Sequence, residues 1–150
     1  MVPATLVDWK EAQQKAARTA RWAVTMAKVR IRRVVSRTHW QLVTFYGKGG
    51  AESSGVVDML AVRKDHAASS GVIRRGDALQ IILIQVKGGS AAQPTFDDAA
   101  RLRAVKKRHG ACAVLLATWK KGRMPHFYRL RRATASEPWE EIKNLDSIFR

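Results

Sequence analysis

The sequence predicts an α/β fold, a mixed central β-sheet of about five strands flanked by α-helices. Three observations predict it. Short runs rich in Val, Ile and Leu at 56–62, 79–87 and 111–118, each bounded by Gly or polar residues, have the length and composition of strands. Stretches at 7–35 and 95–110 carry the 3.6-residue period of amphipathic helices and stand between those runs. The 150 residues are the size of a single domain, spanning 1–150, with one sizeable core.

From Val7 to about Val35, the residues Trp9, Ala12, Ala16, Ala20, Ala23, Ala27, Ile31 and Val34 form one helical stripe, small enough for close packing on a sheet. Lys10, Arg18, Arg21, Lys28 and Arg32 fall on the opposite side, together with Glu11. A solvated basic face is the ordinary meaning of such a stripe. Nine Lys and Arg against one Glu between Trp9 and Arg37 tilt this one toward phosphate contact by Arg18, Arg21, Lys28 and Arg32.

His39 to Tyr46 reads as the first strand. The Gly-rich segment 47–55 follows, where Lys48, Ser53 and Ser54 can donate hydrogen bonds to phosphate; it lacks the spacing and following helix of a P-loop. Glu52 in that segment is more simply a solvent-exposed loop residue than a metal ligand. Two strands come next, Val56–Val62 and Leu79–Lys87, joined by the polar connection 65–78, in which Arg74 and Arg75 are candidates for a nucleic-acid backbone.

Thr95 is the N-cap of the next helix, Asp97 and Asp98 favour its positive dipole end, and Gly110 stops it. Phe96, Ala99, Leu102 and Val105 supply its inward face, and Arg101, Lys106, Lys107 and Arg108 its outward basic one. Ala111–Thr118 is apolar without alternation, as in a central strand covered on both faces. His126–Leu130 is the last strand. Beyond it Ser136 is an N-cap, and Trp139, Ile142, Leu145 and Phe149 predict a C-terminal amphipathic helix over about 136–149, docked on the body or on a second subunit.

The polar residues of the hairpin carry the chemistry. If it closes symmetrically between Lys64 and Leu79, Asp58 lies opposite Gln85 and Val56 opposite Lys87. A carboxylate, an amide and an ammonium then meet at one sheet end. The carboxylate oxygen, the amide oxygen and a nearby backbone carbonyl are hard ligands of the kind magnesium takes. The plain alternative is a partly exposed strand Asp58 and a strand-end Lys87 that snorkels to water.

An Asp closing the run Gly55-Val56-Val57-Asp58, followed one hairpin later by an aliphatic strand ending Gln85-Val86-Lys87, resembles the PD-(D/E)xK nuclease superfamily, which includes Holliday-junction resolvases and Mrr-type restriction enzymes. The order of elements agrees from about residue 8 to residue 132. The resemblance implies a restriction-endonuclease-like fold and a metal-dependent DNA endonuclease. Asp58 matches the metal-binding aspartate, Gln85 the second acidic position and Lys87 the lysine; Asp58, Gln85 and the Val86 carbonyl hold Mg2+, or Mn2+ in its place. Val57 stands where a proline often precedes the aspartate, and Gln85 where Glu or Asp is usual. The resemblance makes double-stranded or branched DNA the substrate, and a two-fold substrate calls for a homodimer. The alternatives are a catalytically inactive protein of the same fold and a basic structural protein that binds DNA or RNA.

The formal net charge of +16 makes phosphate-rich partners the natural counterpart. A lone cysteine, Cys112, excludes an internal disulfide and a cysteine-based zinc cluster; in an apolar run it is expected to be buried and inert. Each of the five tryptophans is expected to anchor a core or a helix. No apolar stretch is long enough to span a bilayer and no secretory segment opens the chain, so no membrane partner and residence in the cytoplasm or at the nucleoid are the expectation.

Overall fold

The computed structural model describes residues 9–45, 55–89 and 94–150. They form an α/β structure with a six-stranded mixed sheet, ordered β1 to β6 along the sheet as along the chain. Helix α1 (Trp9–Val35) precedes β1 (Gln41–Thr44), β2 (Met59–Asp65) and β3 (Ala78–Gly88); α2 (Phe96–His109) leads to β4 (Ala113–Trp119), β5 (His126–Leu130) and β6 (Trp139–Ile142). Only β3 and β4 are parallel, because only they are joined by a helix; the other neighbours are antiparallel.

The helices cover opposite faces. Ala27, Ile31 and Val34 of α1 pack with Met59, Ala61, Ile82, Ile84, Leu115 and Ala117. Ala99 and Leu102 of α2 pack with Val56, Leu83, Val114 and Leu130. Strand β3 therefore has apolar residues at successive positions, Ile82 and Ile84 toward α1 and Leu83 toward α2, which is why its sequence does not alternate.

The α2 caps form as expected. Thr95 Oγ1 accepts the Asp98 N–H at 3.1 Å and Asp98 Oδ2 accepts the Thr95 N–H at 3.1 Å, a reciprocal capping box. Gly110 closes the helix in the left-handed conformation at φ 61°. Thr95→Ala is expected to lower stability by about 1 kcal/mol, measured by urea denaturation.

Several expectations are corrected. The C-terminal segment forms no amphipathic helix: 139–142 is a sixth strand, followed by a single 3-10 turn at Leu145–Ser147. With both faces of the sheet covered, an edge strand places Trp139 against the α2 cluster and Ile142 against the α1 cluster, a split that three-residue spacing hides. The α1 stripe is covered only in its second half; Trp9, Ala12 and Ala16 are exposed, Trp9 at 74%. Trp22 and Phe96 are also exposed. So is Cys112, which precedes β4 and sits at the sheet's end, its N–H donating to the Ile81 carbonyl at 2.8 Å.

Candidate active site

Strand pairing runs from Asp65 opposite Ala78 to Met59 opposite Ile84 and stops there, short of the facing positions expected for Asp58 with Gln85 and for Val56 with Lys87. The ladder changes character there. In a regular strand a residue's N–H and C=O point to the same side. Asp58 directs its N–H to the Ile84 carbonyl at 2.9 Å, whereas its C=O accepts the Phe45 N–H at 3.2 Å, so it reaches β3 with one group and the end of β1 with the other. The chain bends at this residue, which is why β2 begins at Met59 rather than at Val56.

The bend brings the Asp58 side chain to β3 in place of backbone. Its Oδ2 accepts the Val86 N–H at 2.6 Å, a charge-assisted bond that fixes the carboxylate beside the Gln85-Val86-Lys87 run. Gln85 is only 4% exposed, and among the described residues its Oε1 has no hydrogen-bond partner. A buried acceptor left unpaired is costly, and such an oxygen is a ready ligand for a cation or a donor. Gln85→Leu is therefore expected to raise stability by about 1 kcal/mol or more while removing that oxygen. A lower denaturation midpoint for the leucine protein would show instead that the amide is held by its surroundings.

These residues lie where the parallel strands β3 and β4 end, the usual position for a ligand on an open α/β sheet. Here α1 crosses β3 at very short range. A Cβ on Gly88 would stand 2.5 Å from Ala23 Cβ, and one on Gly89 2.7 Å from Thr19 Cγ2. Only glycine admits the helix at this point. Above the crossing, the uncovered half of the α1 stripe faces a groove of about 740 Å3, lined by Ala12, Ala16, Val86 and Gly88 and by the cations Lys15, Lys87 and Lys121. Half-buried Lys87 thus joins the site to the groove.

Sequence reasoning passed over Lys15 and Lys121. Their signal was weak, since one lies on a helix flank and the other in a turn, and only tertiary structure sets them beside Lys87. Other expected residues are dispersed. Arg18, Arg21 and Arg32 are exposed along α1, with Arg18 and Arg21 bordering Trp22; Arg32 is ~21 Å of helix from Arg18. Lys28 is half-buried. Arg74 and Arg75 are exposed beyond the far ends of β2 and β3, ~20 Å of strand from Asp58, so they belong to another surface. Glu11 is exposed on the first turn of α1. Lys48, Glu52, Ser53 and Ser54 lie outside the described residues.

Among the described residues, no group of three or more His, Cys, Asp and Glu side chains is placed to hold a metal ion. The oxygens available at the strand end are of another composition: the Asp58 carboxylate, the buried Gln85 amide oxygen without a partner, and, as the expected third, the Val86 carbonyl, whose own N–H holds the carboxylate. All are oxygen donors, which suits magnesium or manganese rather than zinc. Among the described residues no helix is long and apolar enough to cross a membrane. Comparison with known proteins found no matching family model, curated protein or solved structure.

Proposed function

We propose that this chain is a metal-dependent DNA endonuclease of the PD-(D/E)xK kind, hydrolysing phosphodiester bonds in linear or branched DNA. The observation that supports the reading is the bond from the Val86 N–H to the Asp58 carboxylate, which fixes an acid beside the Gln85-Val86-Lys87 run at the ends of the parallel strands. Asp58, Gln85 Oε1 and the Val86 carbonyl are the residues that would hold Mg2+, or Mn2+ in its place. The ion supplies a Lewis acid that acidifies water and draws charge from the phosphate.

The chain's own residues do the rest. The Val86 N–H holds the Asp58 carboxylate in one position, so no reorganisation is needed when substrate arrives. Lys87 sets a positive charge beside the scissile phosphate, whose oxygens gain negative charge as the attacking water oxygen bonds to phosphorus, before the P–O ester bond breaks and the leaving sugar oxygen takes up a proton from solvent as the water gives up its own. Lys15 and Lys121 extend that charge along the groove and draw the DNA backbone in. A four-way junction presents two equivalent strands for cutting, which calls for a homodimer on that substrate.

The test is cleavage of labelled linear, flapped and four-way-junction DNA in magnesium, manganese or chelator. Cutting is expected with either metal and none with chelator, and the preferred DNA reports the substrate. The neutral, buried Gln85 favours one other reading, a protein of this kind that binds nucleic acid without cutting it. Tight, salt-dependent binding with no cleavage in any metal would establish that reading in place of the first.

A further inference from the structure

A second basic surface lies at the opposite end of the sheet. The cleft there, of about 1040 Å3, is built by the C-terminal half of α2, the residues that enter β4, and the chain at and beyond the end of β5. Its cations are Arg103, Lys106, Lys107, Arg129, Arg131 and Arg132, with Glu140 as its one carboxylate. Lys106 and Lys107 stand near a helix C-terminus, where the dipole alone favours positive charge. The four arginines have no such explanation in common. They converge on one concavity from different elements, and the bond from Arg103 Nε to the Arg131 carbonyl, 3.2 Å, ties the helix to the strand end. Glu140 offsets little of this charge; its nearest approach to Arg131 is 3.9 Å, and both side chains are largely exposed. Exposed Arg74 and Arg75 lie at the same end of the sheet.

Like charges gathered in a cleft repel one another unless an anion is present, and guanidinium forks match phosphate oxygens two at a time. We propose that this cleft binds the phosphate backbone of nucleic acid, as a contact separate from the groove at Lys87. The inference rests on the nucleic-acid reading of the chain and not on its cleavage chemistry. The two ends are ~20 Å apart along β3, the length of about six base pairs, so one longer DNA, or two arms of a branched one, can engage both.

The experiment measures binding of a labelled 20-base-pair duplex in chelator across a salt series, so that cleavage plays no part. The variant Lys107→Gln/Arg129→Gln/Arg132→Gln removes three exposed cations and leaves the Arg103 tie in place. Its slope of log affinity against log salt is expected to be shallower by about 2 to 3, and its affinity in moderate salt about tenfold weaker or more. A companion, Arg129→Lys/Arg132→Lys, keeps the charge and is expected to retain most of the parent slope. The parent slope in the glutamine variant would overturn the inference, as would a parent that does not bind the duplex. Equal loss of binding to a poly-glutamate peptide of matched charge would also overturn it, by showing a site for acidic chains in general. Absence of metal-dependent cutting leaves these outcomes unchanged, so this inference and the endonuclease reading fail separately.

Discussion

An Asp58→Asn protein is expected to cut DNA about 10²–10³-fold more slowly than the parent while keeping its fold and its affinity for DNA in chelator. Asparagine preserves the size of the side chain and an oxygen for the Val86 N–H, so the strand end stays joined. What is lost is the negative charge, the only carboxylate among the three residues that define the site. Asp58→Ala is a less informative change, because it also removes the acceptor of a charge-assisted bond, about 1.5–3 kcal/mol of stability. Lys87→Ala should lower the cleavage rate in parallel, since among the described residues the half-buried Lys87 side chain has no hydrogen bond or ion pair that its loss would break. Parent-like cutting by the asparagine protein would confine Asp58 to joining the strands.

Phe149→Ala is expected to cost about 3–5 kcal/mol, seen as a lower urea midpoint with an unchanged slope. Phe149 is wholly buried. Its ring meets Trp40 edge to face, 5.9 Å between centroids at 83°. Arg63 lies over the same indole at 4.4 Å, and its Nη1 donates to the Arg150 carbonyl at 2.9 Å while its Nε donates to Gln80 Oε1 at 2.6 Å. Phe149 and Arg150 thus return to β2 and close the core beneath α1. Against a total stability of about 5–15 kcal/mol, the loss is a third or more in most cases. A change below about 1 kcal/mol would mean that the core closes over the vacated space.

The hairpin register was readable because a symmetrical closure between Lys64 and Leu79 is the one that sets the two aliphatic runs side by side. The α2 boundaries were readable because Thr95, Asp98 and Gly110 act within a turn of the helix. The sixth strand was not. Trp139, Ile142, Leu145 and Phe149 satisfy a helical period, and nothing local reveals that β5 offers them an edge and that α1 leaves a hollow for Phe149. At the site, the residue types were legible, whereas the facing positions were not, because the ladder stops at Met59 and the bend that turns the Asp58 carboxylate onto the Val86 N–H arises between three strands. The far cleft escaped notice because its two basic segments, 103–107 and 129–132, are separated in sequence by the whole of β4.

The absence of a Cβ at Gly88 gives α1 a fulcrum. Ala23 rests directly on the strand there, and the residues from Trp9 to Arg18 extend past it with their side chains exposed, an arm of ~21 Å from Ala23 to Trp9. Tilting such a lever by about 5° moves its tip by about 2 Å and the contact at Gly88 hardly at all. Lys15, partway along the arm, is carried toward or away from Lys87 and Lys121 by the same tilt. A tilt about that contact would change the width of the groove without any change in the sheet that holds Asp58.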